Sequence, residues 1–235
     1  MTGVRILCVG DSMTIGGAGD HTWRYRLWRH LRDGGGEAGA VTMVGPRHAL
    51  HEGSTEYGDP AFPHEARAHL AGWGEGWLHH SAVIGDVVRD HRPDILLISL
   101  GLIDLGFYTN AEQTIGNVRR FLADARAAAP ALRAVLLPVI PNVRAALDEP
   151  FAAQCARFNE LLASTVAELD TPASPLVLAP QPAGWSLDRD THDGTHPSVA
   201  GEHRLAAAFA DTLHAAWNIG APYPLAEHTA TPQPA

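Results

Sequence analysis

The chain alternates short unbroken apolar runs with longer stretches in which apolar residues recur every three or four positions. Residues 4–9, Val4-Arg5-Ile6-Leu7-Cys8-Val9, are apolar at five of six positions and stop at Gly10, the pattern of a buried strand. Residues 94–100, Asp-Ile-Leu-Leu-Ile-Ser-Leu, read the same way. Residues 40–44, 133–140 and 176–179 complete five predicted strands, with Pro138 marking a strand end or a bulge. Helical spacing predicts a helix over 22–32, where Trp23, Leu27, Trp28 and Leu31 share a face and the arginines between them form a solvated one. Further helices are predicted over 77–90, 111–129 and 150–169, the second stopped by Pro130. The last covers 197–217, with Pro197 suited to its first turn.

Strands alternating with helices predict an α/β fold, a single-domain three-layer αβα sandwich around a parallel sheet of about five strands. That domain spans residues 1–219. Residues 220–235, rich in Pro, Thr, Ala and His, read as a loose tail. Residues 46–76 show no clean period, and so long a loop is either functional or hides an element. Gly16-Gly17-Ala18-Gly19 lacks the spacing of a dinucleotide-binding fingerprint.

Composition narrows the function. The 235 residues are 46% hydrophobic and 18% charged, as in a globular domain, and the formal net charge is −9. That charge disfavours nucleic acid or an anionic membrane surface as partner. All 17 basic residues are Arg, so Lys-based chemistry is excluded. Cys8 and Cys155 fall inside predicted elements and read as free buried thiols. The first residues lack a signal-peptide pattern and no apolar run reaches spanning length, so a cytoplasmic protein is expected. Oligomeric state is not legible.

Two turns carry candidate chemistry. Gly10-Asp11-Ser12 follows the first strand, where open α/β sheets place ligands, and would expose Ser12 as a nucleophile. Asp193-Gly194-Thr195-His196-Pro197 precedes the last helix. A carboxylate three residues before a His can reach its Nδ1–H, fix the tautomer and support the imidazolium. The plainer alternative makes Asp193 a helix cap and His196 a surface residue. His79-His80 and the pair His192 and His196 raise a metal site, but no Cys or Glu stands at ligand spacing, and none is expected. No cofactor is expected. Trp73 and Trp77 are candidates for a cleft wall or for core.

Gly10-Asp11-Ser12 after a first strand, Asp193-x-x-His196 before a last helix, and the βα units between them resemble the SGNH/GDSL hydrolases over residues 4–217. Tyr25-Arg26-Leu27-Trp28-Arg29-His30-Leu31, Val41-Thr42-Met43-Val44-Gly45 and Ala71-Gly72-Trp73 are similar to segments of its carbohydrate-esterase branch. The resemblance implies a flavodoxin-like hydrolase fold, with Ser12, Asp193 and His196 catalytic and the N–H groups of Ser12 and Gly72 in an oxyanion hole. It also implies a small-molecule ester substrate carrying a small acyl group, such as acetyl, on a sugar, polyol or biosynthetic intermediate. Asp11, Trp73, Ile103 and Asp104 fall at substrate-side positions, Asp104 being also readable as a buried structural carboxylate. Ile103 is a departure, because the family places a donating Asn there. Losing one such donor typically costs about 10²–10³ in rate. Asn110, Asn142 or a water could replace it. An acyltransferase, a lyase or a binding protein with an impaired hole are the alternatives.

Overall fold

The structure, a computed structural model, describes residues 3–34 and 41–226. Its centre is a parallel sheet built on β1 (Arg5–Gly10), whose Ile6, Leu7, Cys8 and Val9 are fully buried. β2 (Thr42–Met43) and β3 (Leu70–Ala71) share one edge of β1 end to end, pairing Ile6 with Met43 and Gly10 with Ala71. β4 (Ile95–Ser99) takes the other edge, followed by β5 (Arg133–Leu137) and β6 (Leu176–Leu178), giving the order β2-β1-β4-β5-β6 with β3 beside β1. Among the described residues the sheet thus has six strands, not five. β3 lies inside the loop at 46–76 and is too short to show a period. The chain leaves β1 toward one edge for β2 and reaches the other edge at β4, so the carboxyl end of β1 is the topological switch point, where such sheets bind ligands.

Short α1 (Ser12–Ile15) follows β1 directly, and α2 (Thr22–Asp33) comes next. α2 packs on the last helix, α9 (Val199–Trp217), with Trp23 stacked on Phe209 at 4.6 Å. The predicted helix at 77–90 is two helices, α3 (Trp77–His80) and α4 (Ile84–His91). Ser81 Oγ donates to the Leu78 carbonyl at the break and competes with the helical ladder. α4, α5 (Ala111–Ala128) and α7 (Glu149–Leu169) pack in succession as the second helical group. Short α6 (Val143–Leu147) and α8 (Leu187–Asp190) precede α7 and α9.

β5 stops before Pro138, which has no N–H for the ladder. The next residue is held instead by Asn159, which accepts from Val139 N–H at 2.8 Å and donates to its carbonyl at 2.9 Å. α9 begins at Val199, not at Pro197, and Ser198 caps it. Around Tyr223 the chain is held against the domain, which corrects the expectation of a loose tail there. Tyr223 is buried, its N–H donates to Asp211, and its hydroxyl meets His203 Nδ1 at 2.8 Å. The remainder of that predicted tail lies outside the described residues. Both cysteines are free and buried, and burial pushes the Cys8 thiol up to about 12. Among the described residues no helix is long and apolar enough to cross a membrane.

Candidate active site

The turn after β1 is shaped by its first two residues. A Cβ on Gly10 would fall 2.0 Å from Thr14 Oγ1, so only glycine lets α1 fold back against the strand end. Asp11 caps α1, its Oδ1 accepting from Met13 N–H at 3.0 Å. It is 2% exposed, and burial pushes its carboxyl up to about 7. Arg24 clamps the other end of α1. Its guanidinium donates to the Thr14 and Ile15 carbonyls at 2.8 and 3.1 Å, and to Arg67 O and Tyr57 Oη. Arg24 is buried, which corrects its place on a solvated face of α2. The carbonyls that α1 leaves unpaired at its C-terminal end are what drew it inward.

Ser12 opens α1, and its N–H is one of the helix-start amides without an intrahelical acceptor. Its Oγ stands 3.0 Å from His196 Nε2. His196 Nδ1 stands 2.6 Å from Asp193 Oδ2, and Asp193 Oδ1 accepts the N–H groups of Thr195 and His196. Burial alone would raise the Asp193 carboxyl, but these hydrogen bonds outweigh it and hold it at about 2. The loop is closed by pairing of Thr191 with Pro197 and anchored by the buried Asp190, which accepts from Arg204 and Arg189. Three groups predicted from two distant turns therefore meet in one hydrogen-bonded line.

The remaining predicted residues fall differently. Asp11 and Asp104 are buried and line neither cavity that meets Ser12, which corrects their substrate-side placement. Asp104 is fully buried and accepts from Trp77 and Leu78 N–H at 2.9 and 3.1 Å, tying α3 to the end of β4. Gly72 N–H donates to the Gly10 carbonyl at 3.1 Å. This corrects its placement as an oxyanion donor, since the amide is engaged where β3 pairs with β1. Gly72 instead makes room for Glu75, whose carboxylate would lie 2.2–2.5 Å from an added Cβ. Glu75 pairs with Arg47 at 2.7 Å and stands 3.6 Å from the buried His80, which meets the same Gly10 carbonyl. His79 Nδ1 accepts from Gly76 N–H. His79 and His80 thus take part in backbone hydrogen bonds. His192 joins Asp193 and His196 in a cluster with ligand atoms within 4.8 Å of one another, beside the Ser12–His196–Asp193 line itself. Trp77 is core, whereas Trp73 is 43% exposed and stands in the cleft.

Trp73, Ser12 and His196 form the meeting point of two arms. The smaller, about 200 Å³, is the more polar of the two, with Asp20, Thr22, His192 and Glu202 in its wall beside Met13, Trp23 and Pro197. Buried Glu202 accepts from Thr22 N–H at 2.6 Å and from Arg26 at 3.0 Å, holding Thr22 at a φ of +72°. A β-branched residue there is strained, and strain of this kind gathers at functional sites. The larger arm, about 390 Å³, is lined by Leu102, Ile103, Phe107, Tyr108 and Phe151, with Asn142, Arg144 and Thr195 at its polar side. A wide turn over Asp104–Tyr108, closed by Thr109 N–H on the Asp104 carbonyl, presents Phe107 and Tyr108. Asn142 accepts from Arg144 N–H and donates to Thr195 Oγ1 at 3.1 Å. Asn110 caps α5 and does not line either arm. Glu202, Thr22 and the arm aromatics carried no local signal, because they meet only through tertiary packing.

A sheet of this topology with Ser, His and Asp at its switch point has the architecture of the SGNH ester hydrolases. The sequence profile of the GDSL-like lipase/acylhydrolase family matches residues 8–204, and the chain belongs to that family. Its fold is shared by an acetyl esterase serine mutant solved with acetate ion, at 25% identity and a TM-score of 0.74 over 89% of this chain and 96% of that one. A carbohydrate esterase family 3 enzyme from Talaromyces cellulolyticus gives 26% identity and 0.74 over the same shares. A family 3 carbohydrate esterase from Clostridium thermocellum, at 18% identity and 0.68 over 91% and 97%, shares the fold. No curated protein sequence matches the chain significantly.

Proposed function

We propose that the chain is a serine esterase acting through an acyl-enzyme on an ester whose alcohol is a sugar, a polyol or a similarly hydroxylated small molecule. The observation that carries this reading is the line Ser12 Oγ, His196, Asp193, at 3.0 and 2.6 Å. With Nδ1–H directed at Asp193, the Nε2 lone pair faces the Ser12 hydroxyl. As Ser12 Oγ bonds to the ester carbonyl carbon, its proton passes to Nε2, and Asp193 supports the imidazolium that forms. The developing oxyanion is met by the Ser12 N–H. Asn142 supplies a second donor, because its amide has two N–H groups and only one is given to Thr195. The carbonyl-to-alcohol bond then breaks, and the alcohol leaves with the proton from Nε2. Water, giving a proton to the same nitrogen, attacks the acyl carbon; the acyl–Ser12 Oγ bond then breaks as Nε2 returns that proton to Oγ, releasing the acid and free Ser12.

The supporting comparison is the shared fold with an acetyl esterase and a family 3 carbohydrate esterase. The test is labelling with a fluorophosphonate followed by peptide mass spectrometry. A single adduct on Ser12, lost in Ser12→Ala and slowed in His196→Ala, is expected. Labelling elsewhere, or none, would refute the assignment.

A further inference from the structure

The two arms differ in chemistry as well as size, and this bears on which ester is cleaved. We infer that the apolar arm receives the acyl group, and that this group is a hydrocarbon chain or ring several carbons longer than acetyl. The inference rests on the esterase reading above and deepens it.

The apolar arm opens at Ser12 and, at about 390 Å³, falls within the range of about 300–1,000 Å³ typical of small-molecule sites. An acetyl methyl would leave most of it empty. Ile103 stands in its wall with Leu102 and Phe151. An Asn at 103 would bring amide groups needing partners, whereas Ile offers only hydrocarbon. At its rim Phe107 is 76% exposed and Tyr108 51%, large apolar surfaces that gain by being covered. Across Trp73 lies the more polar arm, where half-buried Asp20 and exposed His192 can meet hydroxyls. The ester carbonyl must sit at Ser12, where the arms join, so one side of the ester enters each. A hydroxylated alcohol in the apolar arm would find polar partners only along the side of Asn142, Arg144 and Thr195, and a hydrocarbon in the other arm would desolvate Asp20. The substrate class is therefore an ester of a polar alcohol with a medium-length or aryl acyl group, and Ile103 is a residue that sets this specificity.

The test uses two ester series with wild type, Ser12→Ala and Gly106→Leu. In the first, glycerol monoesters run from acetate to octanoate. In the second, acetates run from ethanol to octanol. Each buried methylene should raise kcat/KM about fourfold, so hexanoate should exceed acetate by about 10² in the acyl series. The alcohol series should stay flat. Gly106 lines the arm, and a Cβ there would lie 3.6 Å from Arg144 and 3.8 Å from Phe151, ordinary contact. Gly106→Leu should therefore lower the hexanoate-to-acetate ratio tenfold or more by filling the arm.

Acetate as the fastest acyl ester would overturn the inference, as would a rise confined to the alcohol series, or a ratio unmoved in folded Gly106→Leu. Each of these leaves the esterase reading standing provided that Ser12→Ala is inactive. Equal rates for wild type and Ser12→Ala, or no hydrolysis of any ester, would remove the esterase reading and this inference together.

Discussion

The indole of Trp73 lies on the imidazole of His196, with ring centroids 4.5 Å apart and planes inclined by 26°. His51 covers the other face of the same indole at 4.3 Å. Trp73 therefore keeps neither face free to stack on a substrate, and its edge borders both arms. In the proposed reaction the His196 ring becomes cationic as Ser12 attacks, and an indole face stabilises a nearby cation by about 0.5–2 kcal/mol. Trp73→Leu should lower kcat about 3- to 30-fold, with a smaller change in KM, and Trp73→Phe should retain most of the rate. Steady-state kinetics on a single ester checks this. Wild-type kcat in Trp73→Leu would show that the stacking has no catalytic part.

Asp193 holds three hydrogens at once, from His196 Nδ1 and from the N–H groups of Thr195 and His196. Asp193→Asn can keep the backbone acceptor but presents an amide to the imidazole, which favours the wrong tautomer. A loss of about 10⁴ in kcat is expected, as in other Ser-His-Asp sites. The same group leaves a mark on stability. Its carboxyl is held at about 2, below the ordinary 3.8, so the stabilisation is present above about pH 4 and is lost as pH falls toward 2. Denaturation midpoints between pH 4 and pH 2 should fall less steeply in Asp193→Asn than in wild type.

These groups were legible in the sequence because each sits at the end of a regular element. β1 is an apolar run ended by Gly10, and Asp193 and His196 lie just ahead of α9. β4 and the buried faces of α5 and α7 were equally plain, since burial imposes a period on them. What stayed hidden has no period. β3 is two residues long and is recognisable only by its pairing with Val9 and Gly10. Arg24 looked like a solvent residue because pattern reading counts arginine as polar, and its partners, the carbonyls of α1, become visible only when α2 packs. The Gly72 amide is engaged by the carbonyl of Gly10, sixty-two positions earlier, a distance at which spacing carries no information. Thr22 and Glu202 are farther still, 180 positions apart.

Ile103 and Asn142 line the same arm, so an amide placed at 103 would compete for the space that the proposed Asn142 donor serves. Removing a preorganised donor costs about 10²–10³ in rate. Asn142→Ser keeps a capping hydroxyl for α6 but is too short to serve the cavity, and kcat should fall about 10². Ile103→Asn adds a donor, and kcat on acetate esters should rise tenfold or more. In the double variant Ile103→Asn with Asn142→Ser, the loss from the second change should shrink, since the new amide substitutes for the old one. Strictly additive effects in that cycle would separate the two residues.

Arg24 joins the carbonyls of Thr14, Ile15 and Arg67 to the Tyr57 hydroxyl with one planar guanidinium. Lysine places three donors at one point and cannot span that set. Arg24→Lys should destabilise the protein by about 2–4 kcal/mol through unpaired buried carbonyls, as read from urea denaturation. Because those carbonyls end the helix that carries Ser12, kcat should fall in the variant even at temperatures where it remains folded. A folded variant with wild-type kcat would show that α1 is held in place without the clamp.

Asp11 gives the opposite pH signature to Asp193. Burial raises its carboxyl from 3.8 to about 7, a displacement worth about 4 kcal/mol. Below about pH 4 the group is neutral in folded and unfolded chains alike, and the folded protein bears no penalty. Between pH 4 and 7 the unfolded chain ionises first, so unfolding releases a proton and stability falls as pH rises. Above pH 7 the loss is complete. Asp11→Asn keeps Oδ1 as the acceptor for Met13 N–H and removes the ionisation. The variant should therefore gain on wild type as pH is raised from 5 to 8, by about 3 kcal/mol in chemical denaturation. A difference between the two proteins that stays constant from pH 5 to pH 8 would mean that Asp11 ionises in the folded state as readily as in the unfolded one.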